Sequence, residues 1–133
     1  MKILVIGLGV IGTAYGYLFQ KAGHRVEHLV RDGKRRDAPE RLEIRLLDGR
    51  FDNRGEEKAD VYPAILADGG GSYDFILVSV SAGKLEGAVK ALAEKHCSGT
   101  LLLMSGIWED RRWLNRVLDG WNFVLKISNR LTI

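Results

Sequence analysis

Hydrophobic runs without a polar break recur along this chain, and stretches with apolar residues at helical spacing separate them. Residues 3–6 are all Ile, Leu or Val, and 74–80 and 100–104 read as further buried-strand runs around the apolar cores 75–78 and 101–104. A run with no polar partner on either face predicts a strand buried on both sides, as in a parallel sheet. Residues 25–30 read as a further strand and 121–127 as a last one. Between these runs, Ile11, Tyr15, Leu18 and Ala22 recur at helical spacing, and Gly23 supplies the stop. Leu85, Ala88, Val89 and Leu92 share one face of a helix over 84–96, which Ser98-Gly99 is expected to end. Trp113, Leu114 and Val117 form the apolar side of a helix over 109–118, with Arg111, Arg112 and Arg116 outward. Residues 31–62 are less regular. A strand at 42–47, a turn at Asp48-Gly49 and return strands near Phe51 and Val61-Tyr62 predict a small hairpin insertion. Pro63 and the glycines at 69–71 punctuate the chain beyond it. Strands that alternate with helices predict an α/β, doubly wound, mainly parallel sheet with helices on both faces, as one domain over 1–133.

The turn between the first strand and the first helix carries the chemistry. Gly7-Leu8-Gly9-Val10-Ile11-Gly12 fits G-x-G-x-x-G directly after a strand and at the opening of a helix, the setting of a Rossmann dinucleotide site. There Gly7 allows the tight turn, Gly9 lets backbone approach a diphosphate, and Gly12 lets the helix pack closely on the sheet. The helix start offers free N–H groups and a partial positive charge to phosphate. Gly16, one turn on, implies another close approach, since glycine inside a helix costs about 1 kcal/mol relative to alanine.

The residues after the second strand address which dinucleotide is bound. An acid there takes a ribose 2′-hydroxyl, whereas cations suit a 2′-phosphate. Here Arg31 follows Val30, and Lys34, Arg35 and Arg36 come soon after. This favours NADP(H) over NAD(H), unless Asp32 rather than Arg31 faces the ribose. Lys34–Arg36 are read either as further cations for the phosphate or as a solvated loop. Ligands bind at the carboxyl ends of parallel strands, so Ser79, Val80 and Ser81, and then Ser105 and Gly106, are expected to face the cofactor. Ser81 and Ser105 either donate hydrogen bonds there or cap helices. Lys84 either reaches a phosphate or substrate carboxylate or is solvated.

Composition narrows the classes. The 133 residues suffice for one core, with 46% hydrophobic and 28% charged residues in ordinary globular proportion. A net charge of +3, with both signs interleaved between His24 and Lys58, argues against a nucleic-acid partner. A lone Cys97 forms no internal disulfide and fits a reducing, cytoplasmic setting. Met1-Lys2 before an apolar run has the outline of a signal peptide, but glycines interrupt the run and no small-residue cleavage site follows. No stretch approaches the ~18 apolar residues that a membrane span needs. His24, His28 and His96 lack metal-ligand spacing and are expected to be structural, with no metal site. Trp108, Trp113 and Trp121 are expected to be packing anchors.

Three segments, MKILVIGLGVIGTAYGYLFQKAGHRVEHLVRD, YDFILVSVSAGKLEGAVKAL and LLLMSGI, resemble the N-terminal domain of the ketopantoate reductase family, over roughly residues 1–120. The resemblance implies NADPH-dependent reduction of a 2-keto acid, 2-dehydropantoate, on the route to pantothenate and coenzyme A. It also implies that Arg31, matching the family's arginine after strand two, holds the 2′-phosphate. Departures accompany it. Ser81 stands where the family usually has a lysine, with Lys84 three residues later, and Ser105-Gly106 replaces a frequent Asn-Gly pair. The family's helical C-terminal domain, which supplies a catalytic lysine and an acid, does not follow in these 133 residues. The expectation is a cofactor domain that is catalytically incomplete alone and meets a second domain or a second copy near 121–125. The alternative is a non-enzymatic NADP(H)-sensing module.

Overall fold

The aliphatic strands pair with one another because none has a polar face to offer solvent. The computed structural model describes residues 1–47, 55, 57–107 and 109–125. In chain order these form β1 (Lys2–Ile6), α1 (Val10–Lys21), β2 (Arg25–Leu29), α2 (Asp32–Arg35), β3 (Arg41–Leu47), β4 (Glu57–Pro63), β5 (Gly71–Val78), α3 (Ala82–Glu94), β6 (Cys97–Leu103), α4 (Arg111–Val117) and β7 (Phe123–Leu125). Five strands make a wholly parallel sheet in the order β2-β1-β5-β6-β7. An isolated parallel bridge from His28 to Leu66 adds a short segment outside β2. This is the doubly wound Rossmann-type architecture expected, with the connection from β1 leading to β2 on one side and β5 lying on the other.

Alternation along each strand divides the core into two layers. Ile3, Val5, Val26 and Leu77 face Tyr15 and Phe19 of α1. Leu4, Leu29, Ile76, Val78, Leu101 and Leu103 face the other way and pack with Leu85, Val89 and Leu92 of α3 and Leu114 of α4. The buried faces of α3 and α4 follow the sequence pattern. That of α1 does not: Ile11 and Leu18 are about half exposed, and the residues packed down are Gly12, Thr13 and Gly16. The stripe of large residues is displaced because α1 lies too close to the sheet for side chains at its point of contact. A Cβ on Gly12 would sit 2.9 Å from Val5 Cγ1, and one on Gly16 would sit 2.7 Å from the Tyr62 hydroxyl.

The predicted insertion is an antiparallel pair, β3 with β4, in register from Arg41 opposite Pro63 to Leu47 opposite Glu57. It is fastened to α1. Tyr17 donates to Asp60 at 2.8 Å, and Lys21 lies 2.6 Å from the same carboxylate. Between them, these contacts hold the Asp60 carboxyl down at about 2. The predicted turn at Asp48-Gly49 and strand at Phe51 lie outside the described residues, as do Trp108 and Ile127.

Several boundaries differ from expectation, among them that α4 runs only from Arg111 to Val117. β5 starts at Gly71, inside the glycine run, and ends at Val78, leaving Ser79 and Val80 in the following loop. The helix α3 starts at Ala82 and stops at Glu94, and His96 takes the left-handed conformation (φ 54°) that turns the chain into β6. Ser98-Gly99 therefore belongs to β6 and not to the helix end. Gly99 is required there by proximity, since a Cβ would meet the Tyr73 carbonyl oxygen at 2.5 Å.

Beneath α1, the hairpin and the sheet share a buried polar pair. His28 and Tyr62 are both fully buried. The His28 Nδ1 lies 2.8 Å from the Gly7 carbonyl oxygen, which only accepts, so Nδ1 carries the proton. Its Nε2 then accepts from the Tyr62 hydroxyl at 2.6 Å. Burial pushes the His28 pKa down, outweighing the opposite effect of the Gly7 bond, and burial raises the Tyr62 hydroxyl to about 12.

This packing can be tested at two positions. Gly16→Ala adds a methyl under the Tyr62 hydroxyl, where overpacking of about 1–3 kcal/mol exceeds a helix-propensity gain of at most about 1. Urea titration is expected to show a net loss of up to about 2 kcal/mol, partly recovered when Tyr62→Phe is added. The His28 ring also sets a pH window. Its folded pKa lies below the ordinary 6.5, so the unfolded chain takes up the proton first. The neutral ring's stabilisation is complete above 6.5 and is lost as pH falls through the folded value. Denaturation midpoints measured between about pH 7.5 and 5 should fall less steeply for His28→Asn than for the unsubstituted chain.

Candidate functional site

A wholly parallel sheet brings the carboxyl ends of its strands to one edge. The residues that follow Ile6, Leu29, Val78 and Leu103 therefore gather there. The turn after β1 is held on both sides by β2. Gly7 adopts φ +79°, its N–H donates to the Leu29 carbonyl at 2.8 Å, and its own carbonyl accepts from His28. The Thr13 N–H reaches the Gly9 carbonyl at 2.8 Å and so opens α1. Among the described residues no hydrogen bond engages the N–H groups of Leu8, Gly9, Val10 or Ile11. These groups begin a helix whose first turn carries no acid. Gly9 has an ordinary φ of −72°, and a Cβ there would meet nothing within 4 Å. Among the described residues nothing accounts for a glycine at that position. Val10 and Ile11 present exposed apolar side chains beside it.

A cavity of about 500 Å³ opens next to this turn, between the ends of β1 and β2 and the flank of α3. Ile6, Val30, Val80, Ala88 and Ala91 give it apolar walls, and Arg31, Asp32, Lys84 and Lys95 stand at its edges. The Asp32 carboxylate is engaged by Lys95 at 2.8 Å, which holds its pKa below the usual carboxylate value. Arg31 is exposed, with no ion pair found for it among the described residues. Lys34 is exposed on α2 and is not among the residues lining the cavity. Arg35 is consumed structurally, donating to the Ala67 carbonyl at 2.6 Å and pairing with Asp68.

The segments after β5 and β6 close against the turn. The Ser79 Oγ lies 3.2 Å from where a Gly12 Cβ would stand. Ser81 occupies the position before α3, but its side chain makes no cap bond. Ser105 is buried, and its hydroxyl donates to the Val80 carbonyl and caps no helix. The cap of α4 is Asp110, whose Oδ1 accepts from the Trp113 N–H at 2.8 Å. Gly106 is exposed beside Ser105.

Two contacts at this site were not legible in the sequence. The Lys95–Asp32 pair joins residues 63 apart, and the His28–Tyr62 pair joins the sheet to the hairpin. His28 sits in a mixed strand beside Glu27 and carried no motif; the one clue was Gly16, whose missing side chain makes room for both rings. Among the described residues there is no group of three or more metal-ligating side chains, and no helix is long and apolar enough to cross a membrane.

Known proteins provide an independent comparison. Chains with the same fold include a 2-dehydropantoate 2-reductase panE, named as probable, from Bacillus subtilis (22% identity, TM-score 0.65). Others are a 2-dehydropantoate 2-reductase from Methylococcus capsulatus (20%, 0.59) and a ketopantoate reductase from Staphylococcus aureus described as dimeric (15%, 0.60). Each match covers 94% of this chain but only 40–42% of the other protein, so the chain spans less than half the length of these relatives. No curated protein sequence matches. Residues 3–110 match the family profile described as Ketopantoate reductase PanE/ApbA, and the chain belongs to that family.

Proposed function

We propose that this chain is the NADP(H)-binding part of an oxidoreductase of the ketopantoate reductase type, acting on a 2-keto acid such as 2-dehydropantoate. The observation that carries the reading is the disposition of charge at the end of β2. Asp32, the acid placed after β2 where a ribose 2′-hydroxyl would be met, is occupied by Lys95, while Arg31 stands open at the cavity edge. An arginine there clasps a 2′-phosphate with two parallel bonds, and Lys34 adds longer-range attraction.

The residues present fit such a cofactor. Four unengaged N–H groups and an uncrowded Gly9 suit a diphosphate. The cavity of about 500 Å³ has the size and the apolar walls of a small-molecule site. In this reading Gly7 to Gly12 hold the diphosphate, and Arg31 holds the 2′-phosphate. Ser79, Val80, Ser81, Ser105 and Gly106 border the route toward the nicotinamide. The bound nicotinamide supplies a hydride for the substrate carbonyl, and the chain orients it. Ser81 in place of a lysine, and Ser105-Gly106 in place of Asn-Gly, support a chain that binds cofactor without turning substrate over by itself. The half-exposed Val124 of β7, beside Trp121, supports contact there with a further domain or a second copy. The reading places the protein in the cytoplasm, away from membrane and nucleic acid.

Calorimetric titration with NADPH and NADH side by side tests the proposal. NADPH is expected to bind at least about tenfold more tightly, the scale of one charge-assisted bidentate contact. Arg31→Ala should remove most of that difference. Equal affinities in the unsubstituted chain would overturn the cofactor assignment. Adding ketopantoate to the chain with NADPH is expected to leave the nicotinamide absorbance unchanged. Steady oxidation would instead show a complete catalyst.

A further inference from the structure

We propose that Tyr62 and His28 are positioning residues for the phosphate-binding turn, acting through a two-bond relay that runs from the hairpin to the Gly7 carbonyl. The inference rests on the dinucleotide reading and concerns how its diphosphate site is held. The relay has a defined direction. The Tyr62 hydroxyl donates to His28 Nε2 at 2.6 Å, and His28 Nδ1 donates to the Gly7 oxygen at 2.8 Å. Both side chains are fully sealed from solvent, so neither touches a ligand. Their influence passes through the backbone.

The influence falls on one peptide. The Gly7–Leu8 bond is trans, like every described peptide bond, so a carbonyl turned toward His28 directs the Leu8 N–H the opposite way. That N–H is the first of the four unengaged donors. Gly7 at φ +79° has the backbone freedom to swing this peptide, and glycine turns do so readily when nothing holds them. The preceding peptide is already tied, through the Gly7 N–H to Leu29. His28 lies one residue before Leu29, so β2 grips the turn by backbone at one point and by an imidazole at the next.

The far end of the relay is equally fixed. Tyr62 sits on β4 two residues from Asp60, which Tyr17 and Lys21 of α1 both engage. Gly16 of α1 is the gap through which the Tyr62 hydroxyl meets the imidazole. A buried pair serving only stability needs no particular acceptor. This one ends on the carbonyl whose peptide carries the Leu8 N–H, the first of those donors. The hairpin thereby acquires a part in cofactor binding although none of its described residues lines the cavity.

The test compares two ligands across three variants, with NADPH as the ligand that carries a diphosphate and adenosine 2′-monophosphate as the one that does not. In His28→Leu, NADPH is expected to bind about tenfold more weakly, the scale of one misdirected hydrogen bond to a charged group, while adenosine 2′-monophosphate is unaffected. His28→Asn keeps a donor near the Nδ1 position and should recover NADPH affinity to within about threefold of the unsubstituted chain. Tyr62→Phe should weaken NADPH alone by an intermediate factor, and imidazole nitrogen NMR should show the His28 Nε2 resonance shifted by loss of its hydrogen bond while the proton stays on Nδ1. Unchanged NADPH affinity in a folded His28→Leu chain would overturn the relay, as would parallel loss of both ligands, which marks general loosening. Where His28→Leu fails to fold, Tyr62→Phe decides on the same criteria. Failure of the unsubstituted chain to bind NADPH would appear before any variant is made, and would overturn the cofactor reading and the relay with it.

Discussion

The closeness of α1 to the sheet is the constraint on which the rest depends. Van der Waals contact at Gly12 and Gly16 leaves no space for a side chain on the helix face that meets Val5, His28 and Tyr62. That approach sets the angle at which the chain leaves β1. It brings the helix start to the sheet edge and leaves a gap in which two polar rings meet, sealed from solvent. Larger residues at these positions would lift the helix, and the turn, the buried pair and the hairpin contact would be lost together. The cost of two glycines inside a helix is about 2 kcal/mol in propensity, and the burial of Ile3, Val5, Val26 and Leu77 under the same helix outweighs it.

Much of this was readable from residue order. Unbroken aliphatic runs predict buried parallel strands because a parallel sheet is covered on both faces, and β1, β5 and β6 obey that rule. The glycine turn was readable because strand, G-x-G-x-x-G and helix coincide. The residues that periodicity placed wrongly have physical reasons. Ile11 and Leu18 recur at helical spacing, yet a helix this near the sheet turns its smallest residues to the contact and its large ones aside. Ser98-Gly99 resembles a helix stop, but His96 had already turned the chain, and Gly99 answers to the Tyr73 backbone across the sheet.

The site was legible only in part, because its decisive contacts are tertiary. Arg31 stands out after a strand, but nothing local says that Asp32 beside it is taken by a lysine at the far end of α3. Likewise, His28 reads as a polar interruption in a strand until Tyr62 is folded over it. Periodicity reports which face a residue occupies. It is silent about partners that arrive from another element, and those partners here decide charge and orientation.

The pairing order of the sheet also bears on how the chain is made. β1 lies between β2 and β5, with Ile3 beside Val26 on one side and Phe75 on the other. β1 thus gains one neighbour early in synthesis and waits for the second until the hairpin and the segment around Leu66 have followed. During that interval an all-aliphatic edge is unpaired, the kind of surface that recruits other nascent chains. Assembly that depends on such distant pairing is intrinsically slow. Early docking of α1 on one face of the β1–β2 pair would shelter that edge in the meantime, which gives the glycine stripe a role in biogenesis as well as in the finished fold.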